Sequence, residues 1–481
     1  MGRPSSAILV AAFTLTVIGC AHAPPRSEAV KDDGYLVHTA YHAPERLPAT
    51  TPMALASEAG TAPSDLTAPQ PVEVFIRRAL AENRTVQAAY HNVQSLKARV
   101  PQVMTLDDPV VSNTIFPIPS VAPQYSLMGY NPYNVTLAQQ YPWCGTLRLR
   151  GEAAEKDVQV ALAELAAAQL DAVAAVRRAY HNLHAGLKID EILRENHKIL
   201  EDFRGIARER LSTEGTQPDV IRAGTLISEL DRTLAENQQG IASARAALAR
   251  QLHVSPETAF RTREEPAAEP NAAPAAFERL MQLAVAARPE LQGRLAAVAR
   301  DEKAVELARQ RFYPNVTLGL TYMDMEKTNA VTPQTASGMP NLGLFVAFNL
   351  PVYRAKYQAG VCEAQQRALA DERLYEAQRD EAASEIQEFI VQVKTQQGVL
   401  SLLRDSILPR AKESFGLVRS DYAKSNVDYA TVQSALREVL QVRLQITQVE
   451  AELGKAIAGL ERAVGCVINE HPPAAIPAPA R

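Results

Sequence analysis

His181 and His184 are the first candidates for chemistry, standing three apart in a stretch of helical period. That spacing puts two imidazoles on one helix face, where they could hold a metal ion. No carboxylate or thiol joins them at matching spacing, so a solvated helix face is the expectation. Cys144 and Cys362 each follow a predicted strand end, and Cys466 lies near the end of the last helix. A bridge between the first two would suit an oxidising compartment, but nothing else in the sequence supports it. The methionines number 8 and are dispersed, which offers no thioether path for soft metals. There is no Gly-rich phosphate loop, no G-x-S-x-G and no H-E-x-x-H. The expectation is a protein that is not an enzyme, with no catalytic residue, no metal and no cofactor.

The elements around these residues are mostly helical. In a chain of 481 residues the hydrophobic fraction is 47%, the aromatic fraction 6%, and glycines number 22. Much of the apolar content is Ala, Leu and Val, which favours helix. Lys and Arg total 50 against 54 Asp and Glu, a net charge of -4. That balance leaves no electrostatic footprint for nucleic acid. Beyond the first 20 positions no run of 18 apolar residues occurs, so no spanning helix is expected in the mature chain.

The N-terminus reads as an address. Residues 7–18 are an apolar stretch of signal-peptide length behind Arg3. Val17-Ile18-Gly19-Cys20 resembles a bacterial lipobox, in which Cys20 receives lipid and becomes the new N-terminus. An ordinary cleaved signal with Cys20 incidental is the alternative. Ala21, rather than Asp, after the cysteine points by resemblance to the outer membrane. Residues 1–19 are then the signal peptide, and the Pro-rich 20–71 a disordered tether too poor in large apolar groups to fold. Residues 467–481 form a similar tail.

The body repeats once, about 205–212 residues apart. Arg99-Val100-Pro101 answers to Tyr313-Pro314, Gln140-Tyr141-Pro142-Trp143 to Asn349-Leu350-Pro351-Val352, and Asp219-Val220 to Thr431-Val432. Repeat one is placed at 72–260, a linker at 261–275 and repeat two at 276–466. Each reads helix, strand, strand, long helix, tight turn, long helix. The long helices are expected at about 148–212, 217–252, 355–424 and 428–464, with apolar residues stepping by three and four like a coiled-coil seam. Pro409 falls inside one of them and predicts a kink or a tolerated gap.

Strands are expected at about 109–118, 133–141, 314–325 and 341–350. Leu342, Leu344, Val346, Phe348 and Leu350 alternate with smaller or more polar residues, as do Val316, Leu318, Leu320 and Tyr322. Period-two stretches of about ten residues suit a tilted membrane strand. A soluble hairpin packed on helices is the alternative. Residues 119–132 and 326–340 read as exposed loops. Lipid offers no partner to an unpaired strand edge, so membrane strands must close into a barrel. The smallest such barrels use about eight strands, and one chain supplies four. Copies must therefore share a barrel, and three would make a twelve-strand barrel wide enough for water.

Taken together, the duplicated plan, "RFYPNVTLGLTY" at 311–322, Pro351, Ile407-Leu408-Pro409-Arg410-Ala411 and the Val-x-x-Ala text after each helical turn resemble the TolC-like outer membrane efflux protein family over about residues 72–466. Pro142 to Arg150 is similar to a segment of its heavy-metal-efflux branch. The resemblance implies a mainly α fold with a membrane β part, in which each chain of a homotrimer lends four strands to a twelve-strand barrel above a tube of long helices. It implies a passive export duct in the outer membrane of a Gram-negative-type bacterium, its helices extending into the periplasm. Its partners would be a periplasmic adaptor protein, an inner-membrane efflux transporter and outer-membrane lipid. The family places its adaptor-docking tips and gate at the two helical turns, here Gly215, Thr216, Gln217 and Asp219, then Asn426, Asp428, Tyr429 and Thr431. Asp219 equally suits a helix first turn, as Gly215 suits a helix exit. Thr431 and Ser434 stand where the family often has acids. Two alternatives remain: a duct for type I protein secretion, and a non-conducting coiled-coil lipoprotein of the periplasm.

Overall fold

The computed structural model describes residues 68–115, 130–211, 217–263, 276–326, 339–424 and 427–468. The predicted signal peptide, Cys20, nearly all of the expected tether, Gly215, Thr216, Asn426 and most of both strand-connecting loops lie outside the described residues.

Repeat one comprises β1 (Pro69–Gln70), α1 (Val72–Glu82), α2 (Arg84–Met104), β2 (Val110–Ile115), β3 (Tyr130–Tyr141), α3 (Thr146–Leu211), α4 (Gln217–Leu252) and β4 (Arg261–Thr262). Repeat two comprises α5 (Phe277–Ala287), α6 (Pro289–Gln310), β5 (Val316–Glu326), β6 (Asn341–Phe348), α7 (Arg354–Ser401), a π-helical turn (Leu402–Ile407), α8 (Leu408–Ala423) and α9 (Tyr429–Val464). The duplication is visible in the lengths: α1 and α5 have 11 residues each, α4 and α9 have 36 each.

Local chemistry explains the boundaries. Asn83 starts α2 by accepting from the N–H groups of Thr85 (2.9 Å) and Val86 (3.3 Å), while α6 starts on Pro289, whose missing N–H is not needed there. Gly145, at φ 85°, makes the sharp turn from β3 into α3. The single helix expected over 355–424 is interrupted. Pro409 has no N–H to offer, and its ring needs room in the preceding turn. The π-helical turn provides it: Leu408 N–H reaches back five residues to the Leu403 carbonyl.

The helices form two stacked layers around α3, which runs roughly 100 Å at 1.5 Å per residue. Nearer the sheet, contacts order the helices α2, α3, α6, α7; farther away, α4, α3, α9 and α7–α8. By length and composition α3 contains the one described segment apolar enough to cross a membrane, a segment the sequence reading did not expect. Half of that window is buried in the protein, because Ala-rich stretches let α2, α4, α6 and α9 approach α3 closely.

Residues 69–70 and 261–262, expected in linkers, pair instead as parallel β1 and β4. The Tyr180 hydroxyl holds them, donating to the Arg263 carbonyl (2.7 Å) and accepting from the Arg263 N–H (3.1 Å). Below this strap Phe75, Ile76, Leu248, Leu252 and Phe260 build a closed core with Tyr180. The corresponding core of repeat two joins Leu280, Ile386, Leu400, Leu453 and Leu460.

Candidate functional site

The four long strands form one antiparallel sheet in the order β2-β3-β5-β6, so the two hairpins of the duplication lie side by side. Register sorts the side chains. Val111, Leu137, Leu320 and Leu344 stand in one row across the sheet, and Val135, Tyr322 and Leu342 in the next. The opposite face carries Thr136, Thr321 and Gly343, then Ala138, Gly319 and Phe345. There the Thr136 and Thr321 hydroxyls lie 3.1 Å apart in a hydrogen bond, and the Phe345 ring lies over Gly319. One face is mostly apolar, with Asn113 and Gln139 among its polar members; the other mixes Thr, Ala and Gly with Phe345 and Met323. Leu344 is 86% exposed in the single chain, which is costly in water and natural in lipid. The outer edges of β2 and β6 have no strand partner among the described residues.

At the base of the sheet an aromatic and amide junction ties the hairpins to the helices. Trp143 stacks on Tyr313 with ring centroids 4.8 Å apart. The Asn315 side chain accepts from Trp143 N–H (3.3 Å), and Asn315 N–H donates to the Asn349 side chain (2.6 Å). Each hairpin is thereby tied to its counterpart in the duplication.

At the far end lie the two helical turns. Gln217 is exposed, and Asp219 falls in the first turn of α4. Asp428 is the N-cap of α9, accepting from Thr431 N–H (3.1 Å) and from the Thr431 hydroxyl. The Thr431 side-chain and backbone bonds hold its carboxyl below the usual range, with Arg222 a smaller contributor. Tyr429, singled out from sequence as a tip residue, is only 2% exposed. It packs with Phe203, Tyr422, Val432 and Ala223, while Phe203 also meets Phe415. Phe415 and Tyr422 belong to the apolar stripe of the long helical stretch that steps by three and four. Their joining to Phe203 of the other repeat has no local signal. Salt bridges from Arg437 to Glu229 (2.8 Å) and Arg443 to Glu195 (2.7 Å) run along the same joint between repeats.

The histidines do not lie on a solvated face. His181 packs over Gly454 of α9, and burial, followed by Arg177, His184 and Lys455, pushes its pKa down to about 4. His184 bonds Thr262 of β4 at 3.0 Å. The seam residues of α3 carry them inward where α9 and β4 cover the helix. No group of acids, cysteines and histidines suited to a metal occurs among the described residues, and Cys144, Cys362 and Cys466 are free thiols. Arg288 is 3% exposed at the junction of α5, α6 and α9, bonding Glu385 (2.8 Å) and the Ala463 carbonyl (3.3 Å).

Residues 280–466 match the family model of the outer membrane efflux protein. No protein of the curated set matches the chain in sequence. The outer-membrane channel OprN is similar in structure with a TM-score of 0.68 at 20% identity, covering 88% of this chain and 98% of its own. The Campylobacter jejuni CmeC outer membrane channel has a TM-score of 0.67 at 15% identity, covering 82% and 85%. The Neisseria gonorrhoeae MtrE outer membrane channel, in its open state, has a TM-score of 0.63 at 19% identity, covering 82% and 89%. What these findings define is a fold shared with outer-membrane channels. The second repeat is an outer membrane efflux protein domain, and the chain as a whole has the TolC-like fold.

Proposed function

We propose that this chain is the outer-membrane duct of a tripartite efflux pump. The observation that carries it is the four-stranded sheet with one largely apolar, exposed face and edges at β2 and β6 that have no strand partner among the described residues. In hydrocarbon those edges must be paired, and β2 of one copy against β6 of the next closes a ring. Three copies make a twelve-strand barrel with the Thr136–Thr321 face turned to the bore. The α3–α4 and α7–α9 layers of the same copies continue it as a helical tube into the periplasm. Cys20 anchors each copy in outer-membrane lipid. The turns at Gly215, Thr216, Gln217 and Asp219 and at Asn426, Asp428 and Thr431 meet a periplasmic adaptor and form the gate, with Tyr429 fixing one turn to the body. An inner-membrane transporter supplies the energy, and the duct is passive.

Purified protein in planar bilayers should conduct ions and migrate as a trimer in mild detergent. A monomer without conductance would return the chain to the class of spacer lipoproteins. Reversing the charge at Asp219, or a bulky substitution at Gly215, should impair export without lowering trimer abundance. Normal export by both variants would remove the docking and gating roles from that turn.

A further inference from the structure

Midway down the helices, the strap and the ends of α1 and α4 form a basic unit. Stretches 69–84 and 240–263 hold seven arginines and three glutamates, with Glu264 and Glu265 next in sequence, in a chain of net charge -4. Arg77, Arg84, Arg250, Arg261 and Arg263 are exposed. Arg78 and Arg245 are half-buried, each with an Nε that has no hydrogen-bond partner. Among the described residues none of these guanidinium groups forms a salt bridge.

These stretches fold together. α1 packs on α4 and α3, β1 pairs β4, Arg84 N–H donates to His253 (3.2 Å), and Arg263 N–H donates to the Gln70 carbonyl (3.0 Å). Arginines at the inter-helix joints nearby are paired instead: Arg288 with Glu385, Arg462 with Asp171 and Glu290, and Arg177 with Glu461.

Position narrows the partner. Tyr180, which holds the strap, is 34 residues along α3 from Thr146, about 50 Å below the sheet, and 31 residues short of Leu211, about 45 Å above the tip. Lipid headgroups and a partner at the tip are both several Debye lengths away. What occupies that height beneath an outer membrane is the cell wall, whose peptide stems carry carboxylates. We infer that this arginine belt binds the anionic peptidoglycan around the duct, an inference that rests on the outer-membrane duct reading above.

The test uses full-length detergent-purified protein and purified peptidoglycan sacculi in a co-sedimentation assay. The protein should sediment with sacculi at about 50 mM salt and be released at about 0.5 M, where the Debye length is only a few ångströms. Arg77→Gln, Arg250→Gln and Arg261→Gln together should lower the bound fraction by about tenfold or more. The same loss of charge at Arg208→Gln, Arg232→Gln and Arg419→Gln should change it little. Failure to sediment, equal binding by both triple variants, or binding only to phosphatidylglycerol vesicles would overturn the inference. Bilayer conductance of both triple variants separates the readings. Channels without sacculus binding remove the belt alone, whereas loss of channels in the parent removes the duct.

Discussion

Leu344 offers the sharpest test of the membrane face. It sits in the middle of β6, in register with Leu320, and is 86% exposed in the single chain. Were this surface in water, Leu344→Arg would be neutral or mildly helpful, because it relieves an exposed apolar patch. In lipid the same change puts a guanidinium near the bilayer midplane, at a cost of about 2–4 kcal/mol. Taking ~3 kcal/mol, the inserted fraction falls on the order of a hundredfold. Ala347 lies three residues on, on the opposite face beside Thr317, where Ala347→Arg would point into the aqueous bore. The assay compares heat-resistant trimer in isolated outer membranes for the two variants. Leu344→Arg should deplete it and Ala347→Arg should spare it while altering ion selectivity. Equal abundance of the two variants would refute the assignment of faces, and the barrel with it.

Further outcomes follow from the helical part. Gly465 ends α9 at φ 87°, and a Cβ there would lie 2.7 Å from the Arg288 Cα; Gly465→Ala should cost about 2–5 kcal/mol from left-handed strain plus overpacking, read as a lower apparent Tm. Arg288→Met strips the buried cation from Glu385 and the Ala463 carbonyl and should destabilise by about 3 kcal/mol or more, with Glu385→Gln restoring part of the loss in denaturant titrations. His181 has its pKa pushed down to about 4 from 6.5, so the folded state binds fewer protons than the unfolded one. Stability therefore falls as pH drops from 6.5 to 4, by up to about 3 kcal/mol, and a His181→Gln variant should lose that slope in thermal melts. Asp428, with its pKa lowered, caps α9 fully above the unfolded carboxylate range and loses the cap as pH falls through its folded value. Asp428→Ala should speed hydrogen exchange at Thr431 and Val432 across neutral pH, whereas Asp428→Asn should not.

Periodicity made the architecture legible. Leu342 to Phe348 alternates and Val173 to Leu187 steps by three and four because a strand or a helix must put its apolar side on one surface, and that requirement is written residue by residue. The count of four strands carried the need for further copies, since lipid cannot satisfy a sheet edge. Pro409 announced trouble in its helix but not the remedy, because a π-helical turn depends on how neighbouring helices accept the extra residue. The histidines show the limit most plainly. Their spacing marked one helix face, and whether solvent, metal or α9 would cover it depended on Gly454, some 270 residues away.

The sequence by itself determined the kinds of element, their duplication and the apolar character of one strand face, all of which follow from local hydrogen bonding and solvent preference. Tertiary structure alone decided which residues became partners. It set Tyr429 in a core with Phe203, gave Tyr180 the strap to hold, and joined Arg437 to Glu229 and Arg443 to Glu195 across the two repeats. Such contacts join chain segments hundreds of residues apart, and only packing, not local propensity, selects among the many surfaces that could have met.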